Sequence, residues 1–406
     1  MQNEWVDIQG WVGQDWVGAV ALLLLLIQLP AVAILLSRLL QAPGRQPPLC
    51  PQSATPDLLG SVSVVVPTLN EAARISPCLE GLTRQGYEVR EIIVVDSRSQ
   101  DGTVDLVKAA QSRDPRFRVI TDDPLPFGWV GRPWALHTGF LHSSPESEWI
   151  LGIDADTRPQ PGLVASLVKT AQQGGYDLIS LAPQFILKEL GEFWLQPALL
   201  ITLVYRFGAA GSAADGSERV MANGQCFLCR RSLLTQLDGY TSARRSFCDD
   251  VTLARNAARL GAKVGFLDGS NLLKVRMYEG MQETWQEWGR SLDLKDASST
   301  AQKWGDLGFL MAVQGLPLIA TLGFALCLRM GYTDLPVRLA FGLNSALLLI
   351  RFALQGAIAS SYEFTPSVPS WSFWLAPLAD PLAVYRILLS SFRTPTQWRG
   401  RQYEPL

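Results

Sequence analysis

Three segments of this 406-residue chain decide its fold: SVSVVVPTLNE at residues 61–71, EIIVVDSRSQDGT at 91–103 and EWILGIDADT at 148–157. Each is a short apolar run that ends in polar residues. Such runs, separated by helical stretches, are typical of buried parallel strands joined by crossover helices. With RVIT at 118–121 and YDLIS at 176–180, they predict a doubly wound α/β sheet. Ligands of such sheets bind at the carboxyl ends of the strands.

The first two strands end in residues suited to a nucleotide. Pro67, Leu69, Asn70 and Glu71 follow the first strand, and Asp96 ends the second. A base and a ribose need hydrogen-bonding groups on rigid strand ends, so Asp96 is expected to accept from the base while Asn70 and Glu71 frame the site. The alternative is structural, because Asn70 can cap a helix and the DSRSQDGT segment can form a turn before the next helix.

The third strand is followed by two carboxylates, Asp154 and Asp156. At spacing i and i+2 they can diverge, one towards a ribose and the other towards Mg²⁺ or Mn²⁺, which prefer hard oxygen ligands. A metal ion there would neutralise charge that develops on a leaving diphosphate. An Asp-x-Asp triplet alone is common in loops, and it gains weight here from its place after the other two strand ends.

The order PTLNE, VVDSRSQDGT and DAD, followed by Asp249-Asp250 before the helix VTLARNAARL, resembles family 2 glycosyltransferases. The resemblance covers about residues 61–300 and implies a GT-A fold, a nucleotide-sugar donor and an inverting reaction. It assigns the catalytic base to Asp250, with Asp249 beside it. The chemistry agrees, because one carboxylate must take the acceptor proton while the diphosphate departs. The alternative is that both acids only favour the positive end of the helix.

Two further segments extend the resemblance. PFGWVGRPW at 126–134 is similar to a loop that usually reads GW-x-GK in members acting on lipids, with Arg132 in place of lysine. Arginine can bind a diphosphate through two parallel hydrogen bonds. The strand NGQCFLCRR at 223–231 precedes the base and implies that Asn223 and Gln225 lie on the acceptor side. A core strand with buried cysteines is the alternative for this segment.

Residues ETWQEWGRS at 283–291 fall where processive polysaccharide synthases carry Q-x-x-R-W. No tryptophan follows Arg290, which argues against a polymer-threading synthase. Trp285 and Trp288 are three residues apart, so they are predicted to share one helix face and, with Arg290, to lie on the acceptor side. The same two rings could instead anchor the protein at the membrane interface.

Long apolar stretches predict membrane attachment. Residues 17–40 exceed the roughly 20 residues that cross a bilayer, and 308–328 and 337–360 form a second pair of candidates. Shorter or broken stretches at 193–210 and 371–393 are expected to be interfacial or re-entrant. The predicted organisation is the following: leader and transmembrane helix 1–40, proline-rich linker 41–60, catalytic domain 61–300, and membrane hairpin, re-entrant segment and basic tail 301–406.

Charge gives the predicted orientation. Arg38 and Arg45 follow the first apolar helix while the leader is acidic, which places the catalytic domain in the cytoplasm. A net charge of -2 offers no field for nucleic acid. Arg351 interrupts the third apolar helix, and we expect it to snorkel towards the helix end. The resemblance implies a bacterial cell membrane, or a thylakoid, as the location.

The sequence therefore predicts transfer of one sugar to a hydroxyl of a membrane-dissolved acceptor, with bacterial and cyanobacterial carotenoid and hopanoid-associated glycosyltransferases as the nearest resemblance. Hopanoids, polyprenyl phosphates, diacylglycerols and ceramide-like lipids remain alternative acceptors. A nucleotidyltransferase would also need acidic metal ligands, but it would open with a glycine-rich loop, and PTLNEAAR at 67–74 contains no glycine.

Overall fold

The computed structural model describes residues 7–214, 216–289, 292, 294–364, 369–392, 397–398 and 401–402. The elements of the first half are α1 (Asp7–Gln41), β1 (Val62–Thr68), α2 (Ser76–Thr83), β2 (Val89–Asp96), α3 (Thr103–Gln111), β3 (Phe117–Thr121), α4 (Gly131–His142), β4 (Trp149–Ile153), β5 (Thr157–Pro159), α5 (Leu163–Gly174), β6 (Leu178–Ala182), β7 (Gln184–Leu187) and α6 (Leu190–Phe207).

The second half begins with β8 (Cys226–Arg230), α7 (Arg231–Gln236), α8 (Asp249–Arg259), β9 (Val264–Asp268), β10 (Leu273–Val275) and α9 (Gly280–Glu283). It continues with α10 (Thr300–Leu310), α11 (Leu316–Arg329), α12 (Leu335–Ala357), β11 (Tyr362–Phe364), α13 (Trp371–Trp374), α14 (Asp380–Phe392), β12 (Gln397–Trp398) and β13 (Arg401–Gln402). Single π-helical turns at Thr284–Trp288 and Met311–Gly315 follow α9 and α10.

A seven-stranded sheet forms the centre of the catalytic domain, in the order β3-β2-β1-β4-β8-β6-β9. Strands β3, β2, β1 and β4 are parallel, as the five apolar runs predict. Only β8 runs against its neighbours β4 and β6. The mostly parallel α/β sheet confirms the predicted fold class. Because β2, β1 and β4 are adjacent and point the same way, their polar ends meet at one edge.

A second sheet connects the domain that contains the seven-stranded sheet to the apolar helices near the end of the described chain. Its order is β11-β7-β10-β5, and β11 follows α12 in the chain yet pairs with β7 of the catalytic domain. Strand β11 therefore attaches the C-terminal end of α12 to β7.

Among the described residues, three helices are long and apolar enough to cross a membrane, by length and composition: Trp16–Gln41, Thr300–Arg329 and Leu335–Ala357. The segment predicted to be interfacial or re-entrant at 371–393 forms α13 and α14, separated by a turn at Ala376–Ala379 that contains Pro377. Its relation to the bilayer stays a prediction. Helix α6 forms in the stretch 193–210, but residues such as Phe193, Ala198 and Ile201 are fully buried between the catalytic domain and the apolar helices.

Arg351 does not reach towards the helix end as expected. It is 2% exposed, and its guanidinium bonds Asp380 of α14 at 2.7 and 3.2 Å. Gln314 of the π-helical turn also donates to Asp380, at 3.2 Å, and to the carbonyl of Ala198 in α6, at 2.9 Å. A buried charge is retained only with such a partner. The direction of the Arg351 side chain is decided by Asp380, 29 positions away, which the pattern of its own helix does not reveal.

Candidate active site

The first two strand-end loops are tied to each other. Asn70 adopts a left-handed backbone with φ of 55°, its amide donates to Ser99 Oγ at 2.8 Å, and its Oδ1 accepts from the Gln100 amide at 2.9 Å. Helix α2 begins only at Ser76, so Asn70 is not its cap. The side chain instead joins the two loops that end β1 and β2.

Asp96 is buried at the end of β2 and accepts from Thr68 Oγ1 at 3.2 Å and from the Ser99 amide at 2.9 Å. Glu71 is also buried, and its amide donates to Thr103 Oγ1 at 2.9 Å. Pro67 lies in β1, next to Asp96's strand. The donor-side candidates Pro67, Leu69, Asn70, Glu71 and Asp96 thus share one sheet edge.

A cavity of about 870 Å³ opens beside this edge, and the five donor-side candidates are not among its described lining residues. The acids and amides predicted at the third strand end and near α8 line this cavity, together with two arginines. The polar part of its lining includes Arg74, Arg132, Asp154, Asp156, Asn223, Gln225, Asp249, Asp250, Gln282, Glu283, Gln286 and Glu287. The third strand end and the helix α8 therefore face one space.

Arg132 lies beneath the acids and bonds two of them. Its Nε and Nη2 are both 3.0 Å from Asp154 Oδ1, its Nη1 donates to Asp249 Oδ2, and Nη2 also donates to the Gly224 carbonyl at 2.6 Å. Only 12% of its side chain is exposed. Burial lowers the pKa of Arg132, but the charges of Asp154 and Asp249 more than compensate and raise that pKa, so this arginine is always charged.

Asp249 and Asp250 begin α8, and the pKa of each carboxyl is raised, in both cases chiefly by burial. For Asp250 the second cause is the charge of Asp249, and the pKa rises to about 7. The Gly224 amide donates to Asp250, while the Gly224 carbonyl accepts from Arg132. A Cβ at Gly224 would lie 2.5 Å from Arg132 Nη2. A carboxylate with a pKa near neutrality can take a proton at physiological pH.

The donor set fits a hard divalent cation that also binds a ligand. Asp154 and Asp156 supply carboxylate oxygens to the cavity, the type that Mg²⁺ and Mn²⁺ prefer. The described residues contain no group of three or more histidine, cysteine or acidic side chains arranged to hold a metal. Because Asp154 is bonded to Arg132, Asp156 is the better placed ligand. Mg²⁺ commonly takes few protein ligands and completes its shell with phosphates and water.

The structure separates the acceptor-side candidates. Asn223 and Gln225 line the cavity and bond each other, Nδ2 to Oε1, at 3.1 Å. Trp288 also lines it, 4% exposed, with its ring 5.9 Å from that of Phe185. Trp285 is not among the described residues that line the cavity. Its ring lies 5.7 Å from the guanidinium carbon of Arg386, and its backbone carbonyl accepts from Arg386 Nε at 2.6 Å. Arg290 lies outside the described residues.

Sequence reasoning missed Arg74, the other arginine of the cavity. It ends the segment PTLNEAAR, and a turn fixes its amide on the Glu71 carbonyl at 2.9 Å. Its Nη2 lies 3.2 Å from Glu283 Oε1. Burial lowers the pKa of Arg74, whereas the charges of Glu283, Asp156 and Glu279 raise it, with a net rise. Its position three residues after Glu71 was the available signal.

Much of the remaining cavity wall is apolar, and apart from Trp288 its residues were not predicted from the sequence. Its members include Phe185, Leu200, Leu203, Met221, Phe266, Met277, Trp288, Leu292 and Leu294. Several of them pack in one hydrophobic cluster with Leu35 of α1, Leu310 of α10 and Leu347 of α12, all from helices that are apolar enough to span a membrane. The apolar wall of the cavity therefore packs against the apolar helices, although none of the described residues of these helices lines the cavity itself.

Sequence comparisons give relatives of this chain. The family model Glycosyl transferase family 2 matches residues 63–238. A 4,4'-diaponeurosporenoate glycosyltransferase of Staphylococcus haemolyticus is 24% identical over 241 residues, 59% of this chain and 63% of that protein. This match spans less than two thirds of that relative's length. The enzyme of the same name from Staphylococcus aureus is 26% identical over 283 residues, 68% of this chain and 72% of that protein.

A solved structure shares the fold across nearly the whole chain. A mannosyltransferase from Pyrobaculum calidifontis, determined in complex with GDP-Man and Mn²⁺, superimposes with a TM-score of 0.50 at 20% identity and covers 92% of this chain and 97% of its own. This likeness confirms the predicted GT-A fold.

Proposed function

We propose that this chain is a family 2 glycosyltransferase, as the family match of residues 63–238 and the likeness to carotenoid glycosyltransferases support. It would transfer one sugar from a nucleotide-sugar to a hydroxyl group of a carotenoid dissolved in the membrane. The name of its Staphylococcus relatives supports a carotenoid acceptor. The complex of the Pyrobaculum enzyme with GDP-Man and Mn²⁺ supports a nucleotide-sugar donor and a divalent metal.

One observation carries this proposal: a single cavity brings the acids together with an apolar wall, and this wall packs against the apolar helices. Asp154, Asp156 and Asp250 line it together with Leu200 and Leu203 of α6. A soluble sugar acceptor would need polar groups around it, whereas an elongated hydrocarbon gains free energy, about 25 cal/mol for each Å² of apolar surface that leaves water. The geometry favours an acceptor whose reactive end reaches the acids and whose body lies along the apolar wall.

The reaction would be a displacement at the anomeric carbon. The acceptor oxygen attacks this carbon, the bond to the diphosphate oxygen breaks with its electron pair, and Asp250 takes the proton of the acceptor hydroxyl. Attack opposite the leaving group inverts the configuration. Asp250 is suited to this role because it lines the cavity and its pKa is raised to about 7.

The remaining polar residues would hold the donor. Asp96 and Asn70, on rigid strand ends, would bind the base and ribose, with Asp154 at the next strand end. A Mg²⁺ or Mn²⁺ ion held by Asp156, with Asp154 beside it, would neutralise negative charge on the departing diphosphate. Asn223 and Gln225 would border the acceptor hydroxyl.

The charge of the cavity lining favours an acceptor with a hydroxyl group over one with a carboxylate. The relatives' name denotes a carboxylate substrate, but the described lining of this cavity contains Asp154, Asp156, Asp249, Asp250, Glu279, Glu283 and Glu287 and only two arginines, Arg74 and Arg132. Such an excess of acids disfavours an anionic acceptor. A hydroxyl group also needs a base, which a carboxylate does not.

The test is to extract lipids from cells that make the protein and from matched cells that make Asp250→Asn, with a hydroxylated and a carboxylated carotenoid available in each. The proposal predicts a new species, heavier by one sugar residue, only with the active protein and the hydroxylated carotenoid. It should resist mild alkali, because a glycoside is stable where a glycosyl ester is hydrolysed. An alkali-labile product would replace the hydroxyl acceptor with a carboxylate.

Another membrane lipid is the second candidate, because an apolar wall accepts any long hydrocarbon. Hopanoids, polyprenyl phosphates, diacylglycerols and ceramide-like lipids share this property. The same extracts separate them, because a sugar mass added to one of these lipids, with carotenoids unchanged, would identify the acceptor and contradict the carotenoid assignment.

A further inference from the structure

The cavity contains two arginines with different surroundings, and this difference assigns them different roles. Arg132 and Arg74 are the two cations among its described lining residues. A nucleotide diphosphate needs a cationic partner that it can reach, and charge-assisted hydrogen bonds to phosphate are among the stronger polar contacts in proteins. An arginine whose guanidinium nitrogens all donate to buried protein oxygens is poorly suited to bind the diphosphate, so the hydrogen bonds of each arginine indicate its role.

Arg132 is committed. All three nitrogens of its guanidinium donate to protein oxygens, on Asp154, Asp249 and the Gly224 carbonyl. These oxygens come from the end of β4, the start of α8 and the residue that also holds Asp250. Withdrawing Arg132 to bind a phosphate would leave Asp154 and Asp249 close together without their shared cation, an arrangement that buried carboxylates strongly disfavour.

Arg74 is placed differently. Its side chain is 28% exposed, more than twice the 12% of Arg132. Its carboxylate partners, Glu283 at 3.2 Å and Glu279 at 4.0 Å, are 29% and 46% exposed, so they are solvated and lose little if a phosphate displaces them. Asp156, the better placed metal ligand, lies close enough to Arg74 to act on it electrostatically.

On the basis of the proposed function, we infer that Arg74 is the residue that contacts the donor diphosphate, and that Arg132 is a positioning residue that holds Asp154 and Asp249 in place. The diphosphate then lies between Arg74 and Asp156. This assignment moves the donor contact from the GW-x-GR loop, where the sequence pattern puts it, to the end of the PTLNEAAR turn.

The experiment measures binding of UDP and GDP, each with Mn²⁺, to the full-length protein in detergent, and compares it with binding of uridine and guanosine. We expect Arg74→Gln to weaken binding of the preferred diphosphate by about tenfold and to leave nucleoside binding unchanged. Arg132→Lys should retain diphosphate affinity within about twofold and lose most of kcat. Arg113→Gln, which changes an exposed arginine outside the cavity, is the matched control and should bind as the wild type does.

Thermal unfolding of each variant shows whether it is folded, and Arg74→Lys provides a second variant that keeps the charge and should recover part of the affinity. If Arg74→Gln binds as the wild type does while Arg132→Lys loses affinity, the assignment of the two arginines is wrong and the proposed function stands. If the wild type binds neither UDP nor GDP with Mn²⁺, the proposed function itself fails, and the inference fails with it.

Discussion

At the scale of single residues, the ionisation of Asp250 separates a catalytic base from a helix cap. An unperturbed aspartate has a pKa of about 3.9, and the folded protein raises that of Asp250 to about 7. For a raised pKa, the stabilisation is present at low pH and is lost as the pH rises through the folded value. An ionised Asp250 therefore destabilises the protein at alkaline pH, which a cap would not do.

We accordingly predict that Asp250→Asn raises Tm relative to the wild type at pH 8 and does so much less at pH 5, because asparagine carries no charge to desolvate. Thermal unfolding in detergent at the two pH values measures this. Asp57→Asn, at an exposed position, is the control and should show little difference. An Asp250→Asn shift that does not depend on pH would contradict the raised pKa.

The metal assignment gives a second residue-scale prediction. Asp156→Ala should weaken binding of UDP or GDP in the presence of Mn²⁺ by at least about tenfold and should change binding in EDTA very little, because this carboxylate acts through the ion. Calorimetric titration with and without Mn²⁺ provides both values, with Asp57→Ala as the control. Equal nucleotide affinity with and without metal in the wild type would rule out Asp156 as a metal ligand.

The positions of the acids at the strand ends could be predicted from the sequence, whereas contacts between residues far apart in the chain could not. Asp154, Asp156 and Asp250 follow or precede elements whose apolar patterns are clear. The role of Arg132 depends on Asp249, 117 positions away, and that of Arg74 depends on Glu283, 209 positions away. No local pattern encodes such distances, so the sequence alone offered no basis for the proposed difference between the two arginines.

At the scale of elements, the buried pair of Arg351 and Asp380 joins α12 to α14. Their side chains are 3% and 4% exposed, and Gln314 extends the contact to α6. Helix α6 also contributes Leu200 and Leu203 to the cavity. The hydrogen bonds among Arg351, Asp380 and Gln314 therefore connect the apolar wall of the cavity to α12 and α14. In the segment 371–392, the second helix, α14, is attached to α12 by this ion pair.

Breaking this pair should be far worse than replacing it. Arg351→Ala leaves Asp380 buried without its partner, so we expect a loss of about 3–5 kcal/mol of stability. The double variant Arg351→Met with Asp380→Leu removes both charges and should recover most of it. Thermal or denaturant unfolding in detergent checks this, and a double variant as unstable as Arg351→Ala would show that the ion pair is not the source of the effect.

The apolar patterns of the sequence predicted where strands and helices occur, but not the direction of each strand or the burial of each helix. The strands β1 to β4 and the three long apolar helices appear where the pattern places them. The direction of β8 was not predictable, since the same CFLCR run suits a parallel or an antiparallel strand. Helix α6 was expected at an interface because it is too short to span a membrane. In the structure it packs against α10, α13 and α14, and its own sequence does not describe these contacts.

At the scale of the whole molecule, the orientation in the membrane can be tested with a native cysteine. Cys50 is exposed in the linker after α1, whereas Cys78, Cys226, Cys229 and Cys248 are buried and Cys327 lies half-buried in a candidate span. If the catalytic domain is cytoplasmic, an impermeant maleimide should label inverted vesicles and leave intact spheroplasts unlabelled. Cys50→Ser is the control that should abolish the signal. Labelling of intact spheroplasts would reverse the orientation.

The proposed function requires Asp250 to act as the base for sugar transfer to a hydroxyl group of a membrane-dissolved acceptor. The most direct measurement follows a radiolabelled nucleotide-sugar into a hydroxylated carotenoid, in vesicles that contain either the wild type or Asp250→Asn at equal amounts. We predict that the variant loses transfer by roughly 100- to 10,000-fold while it still binds nucleotide with Mn²⁺. Transfer by Asp250→Asn at the wild-type rate would contradict the account.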